Sequence, residues 1–342
     1  MKYLITGGCG FLGSNLASDI LKDHHSVVIV DNFYRHGSQQ NYEWLLGQGE
    51  FSFYNIDISD SDAVEKVISK ELPDVVFHVA GQVAMTTSIS NPRKDFQINV
   101  LGTLNILEAI RNYRSDAIVV FSSTNKVYGD LLDFEYLEKE TRYVMPQYSE
   151  GLDESICLNF QSPYGCSKGA ADQYILDYYR TFGIRTVVFR HSSIYGGRQF
   201  ATYDQGWVGW FCQKVIETKM GILDKPFTIS GNGKQVRDLL HIDDAINVYK
   251  KAVLKIDDVA GNAFNIGGGF SNSLSIIELI NFLSDLLDCK LSFENIKPRQ
   301  SDQLVFIANH AKATKELEWI PKTTYHKGIV QMIDWISNYQ HK

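Results

Sequence analysis

Tyr164 and Lys168 stand four residues apart, just after Pro163. On a helix that spacing puts both side chains on one face, and a proline suits the first turn. A lysine one turn from a tyrosine lowers the phenol pKa through its positive charge. The phenol then becomes a general base for a hydroxyl near neutral pH. Thr124 closes the run Ser122-Ser123-Thr124 behind the apolar stretch 117–121, where its hydroxyl can bond the reacting oxygen. Such a trio takes the proton from the hydroxyl of an alcohol. The carbon must also give up a hydride, so a hydride acceptor has to sit beside it.

The first thirty-one residues supply a place for one. A short apolar strand over 2–5 runs into Thr6-Gly7-Gly8-Cys9-Gly10-Phe11-Leu12-Gly13, and a helical stretch follows over 14–22. A second apolar strand over 26–30 ends at Asp31. Gly7, Gly10 and Gly13 allow a tight turn, close approach of backbone N–H groups to a pyrophosphate, and close helix-on-strand packing. The helix start adds free N–H groups and the positive end of its dipole. Asp31 can accept hydrogen bonds from two ribose hydroxyls, and its charge repels a 2′-phosphate, which favours NAD over NADP.

The elements that must hold these residues alternate strand and helix. Strands are expected over 51–55, 74–79, 117–121 and 185–190, with helices over about 60–70 (Ser59 as its cap), 93–113 and 163–182. Near-continuous apolar strands with helices between them imply a Rossmann-type α/β fold: a doubly wound parallel sheet covered on both faces. Ligands bind at the carboxyl ends of such strands. Thr6, Asp31, Asp57, Ala80, Thr124 and Arg190 all fall there. After Arg190 the pattern loosens into a glycine- and aromatic-rich stretch with a helix near 206–219, then strands and helices up to a last helix over about 325–339. The reading is a NAD-binding domain over 1–189 plus about 236–266. A smaller mixed α/β domain over 190–235 plus 267–342 would bind the substrate.

Composition narrows the partners. The chain has 342 residues, 44% of them hydrophobic, enough for a sizeable core. A net charge of −7 argues against nucleic acid. Five scattered cysteines lack metal-ligand spacing and fit a reduced, cytoplasmic setting, with no metal site expected. The chain opens directly into a strand without the pattern of a secretory leader. No apolar run approaches the roughly 18 residues that would suggest a membrane span.

The glycine turn, Asp31-Asn32, Asp57-Ile58, Ala80-Gly81, Asn99, Ser122-Ser123-Thr124 with Val127-Tyr128-Gly129, Tyr164-Gly165-Cys166-Ser167-Lys168, Arg190, Arg237-Asp238 with His241, and Arg299 with Asp302 recur in one family. Across essentially its whole length the chain resembles the extended short-chain dehydrogenase/reductase superfamily, whose members of this type act on nucleotide-diphosphate sugars. The resemblance implies catalysis by Thr124, Tyr164 and Lys168, with Lys168 also holding the nicotinamide ribose. It extends the cofactor set to Asn32, Arg35, Asp57 and Ile58 near the adenosine end. Ala80, Gly81, Gln82 and Ser122 would line the cofactor, and Asn99 would support the loop. For the substrate it implies Arg237 and Arg299 on the diphosphate and ribose, with Met85, Thr86, Ser88, Ser192, Ser193, Gln199 and Trp207 around the sugar nucleotide. Trp207 and Trp210 either pack one helical face or wall the pocket, and His191 either meets the nicotinamide or is a structural histidine. A dimer through a four-helix bundle built from helices 93–113 and 163–182, or a tetramer, is also implied.

Departures from the family pattern select a branch. The 4,6-dehydratases carry Asp-Glu after the threonine, where this chain has Asn125 and Lys126. Without that acid pair, elimination of water is disfavoured. What remains is oxidation and re-reduction of a hydroxyl, which is epimerisation with NAD regenerated each turnover. Val83, where the UDP-galactose 4-epimerases have lysine, and the long segment 130–161 resemble the branch that inverts C2 of a CDP-deoxyhexose. So does the run from Gly197 to Phe211. Ser193 stands where many relatives have an asparagine. The alternatives are a UDP-hexose 4-epimerase and a non-catalytic NAD-binding protein.

Overall fold

A computed structural model describes residues 1–223, 226–299 and 301–340. The chain winds through β1 (Lys2–Thr6), α1 (Phe11–Lys22), β2 (Ser26–Asp31), α2 (Ser38–Leu46), β3 (Ser52–Asn55), α3 (Ser61–Glu71) and β4 (Val75–His78). Next come α4 (Met85–Ser90), α5 (Pro92–Phe96), a π-helical turn at Gln97–Leu101, α6 (Gly102–Tyr113) and β5 (Ile118–Thr124). A ribbon of β6 (Leu137–Glu138) and β7 (Tyr143–Val144) precedes the long α7 (Ser162–Phe182), then β8 (Arg185–His191), β9 (Ser193–Tyr195) and α8 (Trp207–Lys219). The remainder holds β10 (Phe227–Ser230), β11 (Val236–His241), α9 (Ile242–Leu254), α10 (Ile256–Val259), β12 (Asn262–Ile266), β13 (Ser273–Ser275) and α11 (Ile276–Leu287). It closes with β14 (Phe293–Ile296), β15 (Val305–Phe306), α12 (Ala311–Leu317) and α13 (Tyr325–Gln340).

Seven parallel strands form the main sheet in the order β12-β8-β5-β4-β1-β2-β3. This is the doubly wound order, and its switch point lies between β1 and β4. The pleat sends alternate residues to opposite faces. Leu4, Val28, Val76 and Val119 meet α3, α6 and α7 on one face. Ile5, Ile29, Phe77 and Val120 meet α1, α9 and Trp319 on the other. Both faces are dry, which explains the near-continuous apolar strands; each such side chain contributes about 1.5–3 kcal/mol on burial.

Local chemistry sets the element ends. Asp60, not Ser59, caps α3: its side chain accepts from the Ala63 N–H at 3.1 Å, while the Ser59 hydroxyl is taken up by Asp57 at 2.7 Å. The helix expected over 93–113 is α5, a π turn and α6 in succession. At the end of that turn Gly102 abuts Ile58, where a Cβ would come within 2.7 Å of its side chain. The turn also carries Asn99, buried against the loop after β4.

A second body is built on β13-β11-β15, with β9 joining β11. Its core gathers α8, α11 and α13 around Leu239, Leu274 and Phe227. The segment 236–266, expected in the first domain, is divided. β11 hydrogen-bonds in the small sheet, whereas α9 packs on the main sheet and β12 is its edge strand. In the other direction α12 and Trp319 return to the first core. The chain crosses between the bodies repeatedly, so the boundaries are not contiguous in sequence.

Candidate active site

The strand ends of the main sheet open into a cleft of about 380 Å³. At its floor Gly7 takes φ +67°, and a Cβ there would come within 2.8 Å of the Ala80 Cα. A side chain at Gly13 would overlap the Gly7 carbonyl. The helix that starts at Phe11 has Gly10 as its N-cap, with no side chain to satisfy its first N–H groups. These N–H groups and the Gly7–Gly13 turn line the cleft and form an anion cradle. Asp31, 9% exposed, accepts from Cys9 N at 2.9 Å and Phe33 N at 2.8 Å, leaving lone pairs toward the cleft. Burial raises its pKa against those backbone bonds. Asn32 donates to Asp57 at 2.8 Å, and Asn32, Arg35, Asp57 and Ile58 line the same end.

The loop after β4 forms the opposite wall through Ala80, Gly81 and Gln82. Asn99 clamps it, accepting from Gln82 N at 2.9 Å and donating to Gln82 O at 3.0 Å and to Ser167 at 2.9 Å. The Gln82 amide is spent on Asp95 and Ala84, so only its backbone edge faces the cleft. Asn99 is therefore a buried brace behind the cleft wall rather than part of its lining. Asp95 also accepts from Ser167 on α7, tying the loop to the helix that carries Tyr164.

At the far end lie Ser122, Thr124, Tyr164 and His191. Burial pushes the Tyr164 phenol up to about 12, opposed by the Thr124 hydroxyl and reinforced by the Asp95 charge. Lys168 does not depress the phenol as expected from spacing. Its ammonium donates to Ser122 O at 2.5 Å and lies 4.1 Å from the Phe121 ring centre. Burial lowers Lys168 to about 7, held back by Asp172 and Asp95. Arg190 fixes Asp172 through two bonds of 3.0 Å. Burial thus disfavours the phenolate in the protein alone, and a positive charge placed beside it would favour the phenolate.

The substrate residues divide. Ser192, Ser193, Gln199 and Trp207 line the cleft. The Trp207 indole donates to the Ser193 hydroxyl at 3.0 Å, so Trp207 is wall, whereas Trp210 packs against Tyr203 and Lys214. Ser88 is fully buried and donates to Met85 O at 2.7 Å, turned into its own helix rather than toward a sugar. Thr86 bonds Asp204 at 2.9 Å and Met85 is half-buried in the same short helix. Arg237 and Arg299 are not brought to the cleft wall: Arg237 pairs with Asp302 at 2.7 Å, and Arg299 donates to Tyr203 O at 2.8 Å and stacks on its ring. Both stand on the small body.

Sequence reasoning missed a clasp over the cleft. Arg198, at φ +69°, donates to Asn41 at 2.9 Å and Gln40 O at 3.0 Å. Its guanidinium sits 4.8–5.9 Å from the ring centres of Trp44, Phe200, Trp335 and Tyr339. Asn41 in turn donates to Cys9 O inside the glycine turn, and Arg198, Phe200 and Asn41 all line the cleft. The cage unites residues far apart in sequence, so only the run 197–200 signalled it. The uncapped cradle and Asp31 at one end, and an unpartnered buried nitrogen on His191 at the other, fit a dinucleotide laid along the cleft.

A family model described as the NAD dependent epimerase/dehydratase family matches residues 3–267. The chain belongs to that family. It is 57% identical over 338 residues to the CDP-paratose 2-epimerase of Salmonella typhi, covering 99% of this chain and 100% of that one. It is 32% identical over 339 residues to a putative UDP-glucose 4-epimerase of Methanocaldococcus jannaschii, covering 98% of each. The solved UDP-glucuronic acid 4-epimerase of Bacillus cereus, in complex with UDP-glucuronic acid and NAD, superposes with a TM-score of 0.82 at 27% identity, covering 99% of this chain and 100% of that one.

Proposed function

We propose that the protein is an isomerase, an NAD-dependent nucleotide-sugar epimerase that inverts C2 of CDP-paratose to give CDP-tyvelose through a transient 2-keto sugar. The observation that carries the substrate is the full-length 57% identity to a CDP-paratose 2-epimerase; the Thr124, Tyr164 and Lys168 set supports the chemistry. When bound, NAD+ supplies the hydride acceptor, the returning hydride, and a positive charge beside the phenol. Thr124 orients the C2 oxygen. Tyr164 takes the C2 hydroxyl proton and gives it back after the keto sugar has turned over, so no proton is consumed. Lys168 anchors the ribose next to Ser122. Turning requires loose sugar contacts and a firm nucleotide grip; Arg237 and Arg299, on the small body away from the cleft wall, would take that role by exchanging Asp302 and the Tyr203 carbonyl for phosphate oxygens. Asn125 and Lys126 leave no acid pair for dehydration, and Asn125 is spent on Gln303 at 2.8 Å.

Such an enzyme would work in the cytoplasm, supplying a deoxyhexose for bacterial O-antigen. No helix among the described residues is long and apolar enough to cross a membrane. Exposed Ile89, Phe96, Leu101 and Tyr174 on α4–α7 support a dimer through a four-helix bundle. The second reading is a UDP-hexose 4-epimerase, favoured by the relative at 32% identity. A panel of CDP-, UDP-, GDP- and dTDP-sugars with product NMR tests the assignment: turnover of UDP-glucose but not CDP-paratose would refute it. Tyr164→Phe should lower kcat by about 10²–10⁴-fold with NAD still bound; near-full activity would refute the base.

A further inference from the structure

The turn after β5, Asn125–Tyr128, follows directly on Thr124 and carries two side chains that bond to the small body. Asn125 is buried. Its Oδ1 accepts from the Thr124 hydroxyl at 3.3 Å, and its Nδ2 donates to Gln303 Oε1 at 2.8 Å. Gln303 is fully buried, and its Nε2 donates back to the carbonyls of Asn125 at 3.4 Å and Gly129 at 2.6 Å. Lys126 Nζ donates to Ser301 O at 2.8 Å. An unbroken chain of hydrogen bonds therefore runs from the Thr124 hydroxyl to the segment that leads into β15 of the small sheet.

That segment is held, and it holds something in turn. Ser301 takes φ +57°, a left-handed conformation that a residue other than glycine keeps only where its surroundings hold it. Asp302, between the two bonded residues, accepts from Arg237 on β11 at 2.7 Å. Burial and the Arg237 charge lower the Lys126 ammonium to about 8, opposed by Asp302 and Asp130. At neutral pH it stays mostly cationic, and a charged donor bonds a carbonyl more strongly than a neutral one. Asn125 and Lys126 stand where the dehydratases carry their acid pair. Here both are bonded to residues 301–303 instead.

We propose that Asn125 and Lys126 are positioning residues that clamp segment 301–303, and with it the Arg237–Asp302 pair, at a fixed distance from the Thr124 hydroxyl. The clamp sets the span between the nucleotide grip on the small body and the sugar carbon presented to Thr124. A sugar that must turn over between two hydride transfers has few contacts of its own. Its place in the cleft is therefore set by where its nucleotide is held. A misplacement of about 1 Å from the reacting geometry can cost on the order of 10²-fold in rate. The inference rests on the sugar-nucleotide reading of the small body.

Lys126→Met removes one bond of the clamp and keeps the apolar stem. Hydrogen–deuterium exchange of the NAD-bound protein should then show peptides over 299–304 exchanging at least tenfold faster, with those over β1 and α1 unchanged. The kcat with CDP-paratose, or with UDP-glucose if that proves the substrate, should fall at least tenfold. Affinities for NAD and for the free nucleoside diphosphate should stay within threefold, and Lys126→Arg should restore most of kcat. Gln303→Met loosens the same segment from the small body, away from Thr124, and should move exchange and kcat in the same direction; if one variant fails to fold, the other decides. Unchanged exchange or unchanged kcat would overturn the proposal. So would a parallel loss of NAD and nucleotide affinity, which marks side chains that merely hold the fold together. Wild-type protein that turns over no sugar nucleotide would overturn the substrate reading instead, and the exchange measurement alone would then decide the clamp.

Discussion

Replacing Arg198 with alanine should turn a tightly retained cofactor into an exchanging one. The side chain bridges the small body to α2 through two charged hydrogen bonds, at 2.9 and 3.0 Å, inside a cage of four aromatic rings. Hydrogen bonds from a charged group contribute about 1.5–3 kcal/mol each, and each exposed cation–π contact about 0.5–1 kcal/mol. Arg198 is half-buried, so solvent screening discounts that sum. About 2 kcal/mol of closing free energy is a conservative loss. At 1.4 kcal/mol per factor of ten, the open population of the 197–200 loop rises about 30-fold. NAD held beneath this loop should be released faster by a similar factor. The assay is gel filtration of the purified protein followed by heat release and quantification of bound NAD, with stopped-flow displacement for the rate. Arg198→Lys keeps the charge but not the fork and should fall between. A release rate within threefold of wild type in Arg198→Ala would refute the clasp.

Other outcomes follow from the same geometry. Lys168→Met should abolish turnover yet raise the melting temperature of the NAD-free protein. A lysine with a folded pKa near 7 binds fewer protons folded than unfolded between pH 7 and about 10.4, so its penalty is full below pH 7 and fades as pH rises. The gain in melting temperature should accordingly be larger at pH 6.5 than at pH 9.5, and an equal gain at both would contradict the shift. Gly7→Ala should cost about 1–3 kcal/mol of backbone strain and weaken NAD binding, because the new methyl meets the Ala80 backbone; calorimetry with NAD checks it. Ser88→Ala should leave KM for the sugar nucleotide within twofold, since the hydroxyl is turned into its own helix. A tenfold rise would restore Ser88 as a sugar contact.

What the sequence made legible was chemistry carried by contiguous residues. The glycine turn with Asp31, and Tyr164 with Lys168, each lie within one βα unit or one helical turn. Local geometry alone brings their atoms together, and the parallel, doubly wound character of the sheet followed from unbroken apolar runs. Features decided by distant packing were not legible. Lys168 shares a face with Tyr164, but its amine is drawn to the Ser122 carbonyl, and burial pushes the phenol upward. Val236–His241 mixes Arg237, Asp238 and His241 with apolar residues, and pairing with β9, β13 and β15 draws it into the small sheet. Ser59 was a plausible cap until Asp57 claimed its hydroxyl. Arg198 shows no sign in sequence of Trp44, Trp335 and Tyr339, which complete its cage.

Borrowing and returning a hydride at C2 is tested most directly by incubating the holoenzyme with CDP-paratose carrying deuterium at C2, in ordinary water, and following the product by NMR. The predicted result is a product inverted at C2 alone with the deuterium still on that carbon, because it leaves as hydride to NAD and returns to the opposite face. Inversion at another carbon, or loss of the deuterium to water, would contradict the account.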